Sequence, residues 1–282
     1  MGKISTRLIL KKSHDLKIPY QNLLQGVARE QVVERLFSLP DNYRVALMKI
    51  GEYGLDNYKT SNIKDVFVRV KEKGMEGMYL AEMVAKLVYD GEEKATIEEY
   101  EDGAKVRLNI PFDKITIPVN LYIFPLKDED NDLEDVQFRL SYENDRSIPI
   151  TALYVEKEIA NAFAIIYDKQ EFLSDMSILY NLYRYGTKRT FSGRKLMKAI
   201  EEELKERELT LRVDRYNNLQ HTLCSKSYKA KFRAFQSLGK RKEPKYEEVV
   251  TVIDKIISPV IESILKEEVF FGDYMPELQR YL

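Results

Sequence analysis

Cysteine is nearly absent. Cys224 is the single one in 282 residues, which rules out an intrachain disulfide and a cysteine-built zinc centre. Histidine is scarce too: with only His14 and His221, a multi-histidine metal site or a His-dependent proton relay has almost no material. No segment approaches the roughly 18 apolar residues of a membrane-spanning helix. The basic start MGKISTRLILKK holds an apolar run too short for a secretory signal. The chain therefore reads as soluble and cytoplasmic, with no membrane partner. An excess of one charge is missing as well. Lys and Arg total 45 against 46 Asp and Glu, so any affinity for nucleic acid has to come from local clustering.

What is present is ordinary globular material, 44% hydrophobic and 32% charged, enough for one large or two modest domains. Residues 20–38 place Leu23/Leu24, Val27, Val32/Val33 and Leu36/Phe37 at helical spacing, ended by Pro40-Asp41-Asn42. Arg44–Met48 and Val66–Val70 are short β-branched runs around Gly51, Gly54 and a polar turn. Residues 75–89 return to helical spacing. Thr96–Glu99, Lys105–Ile110, Ile115–Phe124 and Gln137–Ser141 read as strands, with the acidic stretch 127–135 as a loop. From about 150 the pattern is helical, notably 194–211 and 246–266, the latter expected to kink or restart at Pro259. The fold class is α+β: a mixed sheet with flanking helices over 1–148, then a helical domain over 149–282.

Thr151–Tyr183 is the most telling stretch. Glu156-Lys157 opens an amphipathic run with Ile159, Ala162/Phe163 and Ile166 on one stripe, and Ser174-Asp175-Met176 leads into a second run. These segments resemble the "A-E-K-L … R-D-x-x-D" helix pair of AbiEii-type nucleotidyltransferases, the abortive-infection toxins of phage defence. The resemblance extends to 28–43 (AREQVVERLFSLPDNY), to Leu47–Leu55 (LMKIGEYGL, similar to an "LKGGxxL" turn), to the strands in 103–123, and to 191–238.

It implies a nucleotidyltransferase-like sheet, an NTP and Mg²⁺ as cofactors, RNA or protein as acceptor, and a cognate antitoxin as partner. It also places the family's D-x-D position on 62–67. Depending on a one-residue register, either both carboxylates are absent (Lys64, Val66) or Asp65 alone remains, with Phe67 beside it. The third acidic position falls on Tyr122, and the i+3 partner of Asp175 reads Ile178. The candidate catalytic set is then Asp65 (also the sole metal ligand), Lys157 and Asp175, with Lys49, Gly51 and Glu156 for the nucleotide. A centre this poor in carboxylates leaves a divalent ion and triphosphate badly neutralised, so the resemblance points to an impaired enzyme.

Each residue also has a plainer reading. KIGEYG could simply turn the chain between elements. Glu156 in a first helical turn complements the helix dipole, and Asp175 could open the next helix. The alternative function is a non-catalytic binding or assembly module, or an RNA-binding protein. For the latter, basic stretches offer Lys188, Arg189 and Arg194, then Lys240, Arg241 and Lys242 after the interleaved Tyr228, Phe232 and Phe235. Packing of Phe232 and Phe235 into a core is the competing expectation.

Overall fold

The computed structural model describes residues 4–39, 43–59, 62–72, 82, 96–113, 115–126, 133–143, 146–239 and 243–282. Most of the helix expected over 75–89, much of the acidic stretch and the Lys240-Arg241-Lys242 cluster lie outside them. The chain divides into two units, Met1–Leu153 and Tyr154–Leu282.

The first unit is a seven-stranded mixed sheet with helices α1 (Thr6–Leu16), α2 (Tyr20–Leu36) and the one-turn α3 (Leu55–Tyr58). Its strands are β1 (Tyr43–Leu47), β2 (Asp65–Glu72), β3 (Thr96–Tyr100), β4 (Gly103–Pro111), β5 (Thr116–Pro125), β6 (Leu133–Arg139) and β7 (Ser147–Leu153). They lie in the order β3-β4-β5-β2-β1-β7-β6. β2 runs parallel to β5 and β1 parallel to β7, and the other neighbours are antiparallel.

Alternation sets the two faces, because successive strand side chains point to opposite sides. Val66, Val68 and Val70 on β2, Val119, Leu121 and Ile123 on β5, and Ala104, Val106, Leu108 and Ile110 on β4 are all buried on one face. Their neighbours Asp65, Phe67, Asn120, Tyr122, Phe124 and Lys105 are half-buried on the other, and Arg107 is exposed. One side of the sheet is core and the other is partly open.

The core side is covered by α2, which packs on β2 and β5. Its expected apolar stripe is there, yet every residue from Leu23 to Glu34 is buried, polar ones included. Buried polar groups are costly without partners, and here they have them. Gln25 donates to the Pro118 carbonyl at 2.9 Å. Glu30 accepts from the Tyr58 hydroxyl at 2.7 Å and the Ser141 N–H at 2.6 Å. Glu34 accepts from Tyr142 and from Arg146, each at 2.5 Å. Gly26 sits under the Tyr58 ring, where an added Cβ would fall 2.5 Å from ring carbons.

The second unit packs α4 (Val155–Lys169), α5 (Ser177–Lys188), α6 (Gly193–Glu206), α7 (Val213–Leu223), α8 (Lys226–Leu238) and α9 (Tyr246–Leu265) around a single apolar core. Three differences from the sequence expectation stand out. Residues 147–153 form β7 rather than the start of the helical region, Pro149 having masked the strand. The helix from Tyr246 runs through Pro259 to Leu265 without a break. The chain end folds back as β9 (Asp273–Met275) and β10 (Arg280–Tyr281), which form a small sheet with β8 (Phe191–Ser192). Stacking of Phe191 on Tyr274, centroids 4.7 Å apart, anchors that small sheet.

Candidate functional site

The open face of the large sheet gathers the residues that the D-x-D segment and the third acidic position supply. The register is Asp65↔Asn120 and Phe67↔Tyr122, so these four side chains lie side by side on parallel strands. Asn120 donates its amide to Asp65 Oδ1 at 2.8 Å. One step along, Phe67 and Tyr122 stack with centroids 4.7 Å apart and an interplanar angle of 11°. Of the two registers left open by the sequence, the one carrying Asp65 and Phe67 faces this side, because Val66 is buried on the other.

Lys49 completes the row. After β1 the Met48 N–H still pairs with the Phe67 carbonyl at 2.9 Å, and Lys49 takes a left-handed backbone, φ 55°. Its ammonium comes to 3.5 Å from the Phe67 ring centroid, a cation–π contact of about 0.5–2 kcal/mol. Gly51 follows in a short 3₁₀ turn (Ile50–Glu52), and its carbonyl accepts a hydrogen bond from the Asn57 amide. On the far side Tyr100 reaches across β4, where Gly103 has no side chain to obstruct it. Its ring lies edge-on to Tyr122 at 4.9 Å and to Phe124 at 6.2 Å. Burial, together with the charge of Asp65, raises the Tyr122 phenol above its ordinary pKa, while Glu101 does most of this for Tyr100.

The support beneath is rigid. Arg29, 1% exposed, donates Nε–H to the Asp65 carbonyl at 2.8 Å and sits 3.4 Å from Glu52. Its guanidinium also lies 4.1 Å from the Tyr53 centroid. One buried cation thus fixes both the start of β2 and the turn that carries Lys49. Sequence reasoning missed this role, since Arg29 reads as a solvent-facing residue of an amphipathic helix.

A hard divalent ion wants several carboxylate or carbonyl oxygens converging on it. Among the described residues Asp65 is the one acid on β2 and β5 at this place, with an amide on one of its oxygens, two aromatic rings next to it and an ammonium beyond, while Glu98 on β3 is paired with Lys105. Nor do any three His, Cys, Asp or Glu side chains among the described residues come together as a metal site. The described residues at this place do not fit Mg²⁺.

The remaining candidates lie in the helical unit. Glu156 is buried in the first turn of α4 and accepts from the Ser192 N–H at 2.7 Å. Lys157 pairs with Glu202, whose carboxyl, pushed upward by burial, is pulled below its usual pKa by that ammonium. Asp175 accepts from the Ser177 N–H at 2.9 Å and its hydroxyl at 2.6 Å, closing the turn before α5. Tyr185 near the end of α5 bonds to Glu158 near the start of α4. The two helices therefore run as an antiparallel hairpin, with Asp175 at its closed end and Glu156-Lys157 at its open end. The 15 residues of α4, roughly 22 Å at the usual rise, separate them.

Among the basic candidates, Lys188 and Arg194 are exposed and Arg189 half-buried. Arg194 lies 5.7 Å from the ring of Phe271. In α8 the interleaved aromatics are used for packing: Tyr228 and Phe232 are buried, and Phe235 tilts against Phe232 and Tyr180. Lys229 pairs with Glu247, and Lys231 donates to the carbonyls of Glu171 and Leu173 at 2.8 and 2.9 Å. This unit also holds an apolar cavity of about 350 Å³ lined by Phe163, Ile166, Leu219, Leu223 and Ile253.

No family model matches the chain, and no curated protein does. Two solved structures from Helicobacter pylori are similar over most of their length. One is JHP933, 14% identical, covering 89% of this chain and 96% of that one with a TM-score of 0.43. The other, described as a candidate nucleotidyltransferase, is 13% identical and covers 89% and 99% with a TM-score of 0.44. Among the described residues no helix is long and apolar enough to cross a membrane.

Proposed function

We propose that this protein is a nucleotidyltransferase-like protein of the AbiEii toxin type whose divalent-ion centre has been replaced, and that it acts by binding rather than by Mg²⁺-dependent nucleotide transfer. One observation carries the reading. At the positions where the resemblance puts the second D-x-D carboxylate and the third acid, Phe67 and Tyr122 stand stacked in register, with Lys49 over the Phe67 ring. Two negative oxygen ligands there would neutralise a metal ion. Two aromatic rings bring no charged oxygen to one, and an ammonium repels it. Loss of such charge stabilisation costs several orders of magnitude in rate.

The test is incubation of the purified chain with α-labelled nucleoside triphosphates, Mg²⁺ or Mn²⁺, and total RNA or protein extract. No label transfer above background is expected, from either the native chain or Asp65→Asn. Transfer that Asp65→Asn abolishes would overturn the proposal. The resemblance also implies a cognate antitoxin as partner, which co-purification from the native host checks.

A further inference from the structure

We propose that the open face of the large sheet binds single-stranded nucleic acid, with Tyr100 as the base-stacking ring and Lys49, Lys105 and Arg107 as phosphate contacts. This goes beyond the reading above and shares with it only the Phe67–Tyr122 pair and the Lys49 over it.

The face has the ingredients such binding needs: aromatic rings for bases, cations for phosphates, and an open surface. Phe67 and Tyr122 stand nearly parallel to each other, whereas the Tyr100 ring is turned 69° from Tyr122 and 68° from Phe124. Tyr100 therefore lies across their edges. It is 37% exposed, although a large aromatic side chain on a sheet usually gains by burial. The rings beneath hold it in place, so little side-chain entropy remains to be lost when a base stacks on it.

The cations bracket the aromatic row. Lys49 sits above Phe67 at one end. At the other, Lys105 on β4 is opposite Tyr122, and Arg107, two residues on, is opposite Asn120. Arg107 is exposed. Lys105 shares its charge with Glu98 at 3.6 Å, a solvent-accessible pair that a phosphate can replace at little cost. Among the described residues this stretch of the face also carries acids, each beside a partner: Asp65, hydrogen-bonded by Asn120, Glu98, paired with Lys105, and Glu101, beside Tyr100.

Spacing argues for a strand over a lone nucleotide. From β4, which carries Lys105 and Arg107, to β2, where Lys49 meets Phe67, is two inter-strand steps, roughly 10 Å, the length of about three stacked nucleotides at about 3.4 Å each. A single triphosphate would need its cations clustered, whereas here they stand at the two ends of the row.

The experiment is fluorescence anisotropy of the full chain with a labelled oligouridylate of about twelve nucleotides, within the range that such single-strand sites cover, at low salt and without magnesium. Tyr100→Ala is expected to weaken binding by about 5- to 150-fold, the effect of removing one stacked base, while Tyr100→Phe retains it. Arg107→Ala is expected to reduce the slope of log affinity against log salt by about 1. Circular dichroism of Tyr100→Ala should match the native chain, because the residue is exposed. The inference is overturned by absence of binding, by binding indifferent to both Tyr100 and Arg107, by preference for duplex, or by full competition from equimolar ATP. Label transfer dependent on Asp65 with Tyr100-dependent binding would sink the non-catalytic reading alone.

Discussion

Replacing Glu30 with glutamine is the sharpest probe of how the first unit is held together. Glu30 is fully buried in the middle of α2, and burial pushes its carboxyl up to about 7 against the opposing pull of the Ser141 and Tyr58 hydrogen bonds. In the unfolded chain the same group titrates near about 4.3. Between these values the folded protein keeps the proton and the unfolded chain has lost it, so the folded state binds more protons and stability falls as pH rises. The stabilising effect of the proton is complete below about pH 4 and gone above about pH 7. Over that interval the loss amounts to about 3–4 kcal/mol, at about 1.36 kcal/mol per pKa unit.

The glutamine of the variant has no proton to lose. It also turns an amide N–H₂ toward the Ser141 N–H or the Tyr58 hydroxyl, which costs about 1–3 kcal/mol at every pH. The informative quantity is therefore the pH dependence of the difference, not its absolute size. Hydrogen exchange of the α2 amides, corrected for intrinsic rates and run from about pH 5 to pH 8 across the folded midpoint, should show native protection declining with pH relative to Glu30→Gln. A carbon-13 titration of the Glu30 carboxyl should have its midpoint near 7. A midpoint in the ordinary carboxylate range, or a difference between the two proteins that does not change with pH, refutes the reasoning.

Two further substitutions test the packing of the two units separately. Gly26→Ala places a methyl group 2.5 Å from the Tyr58 ring and should destabilise the first unit by about 1–3 kcal/mol, measured by urea denaturation, with Tyr58 displaced from Glu30; an unchanged midpoint would show that the ring moves freely. Phe232→Ala empties a site with no exposure in the core of the helical unit and should cost about 3–5 kcal/mol. If α8 instead presents Phe232 to a ligand, this change would lower affinity for nucleic acid with little effect on stability.

Sequence patterning reaches the elements because burial there is one-sided. β2, β4 and β5 alternate between a core face and an open face, and alternation is what a period of two records. α2 is legible from its leucines and valines. Its buried Gln25, Arg29, Glu30 and Glu34 are not, because a polar residue at helical spacing looks the same whether it meets water or a buried partner. β7 is hidden by Pro149, and the terminal strands β9 and β10 are too short to carry a period. Of the candidate site residues, Asp65 and Lys49 are legible by resemblance, and their neighbours Phe67 and Tyr122 only as departures from it. Tyr100 and Arg107 carry no signal at all. They join the others through pairing across β3, β4, β5 and β2, a relation that sequence spacing does not display.

Composition and patterning alone settled that this chain builds an α+β protein, sheet first and helices after, without the cysteines or histidines for a soft-metal centre. Local preference and periodicity are properties of neighbours in the chain, so the sequence displays them openly. Tertiary structure decided the rest: which register of 62–67 faces the open side, that Phe67 and Tyr122 touch, that Lys49 lies over the Phe67 ring, and that Arg29 is a buried strut. Each of those depends on strand register and helix docking. A shift of one residue in register would have turned the strand-borne side chains to the opposite face.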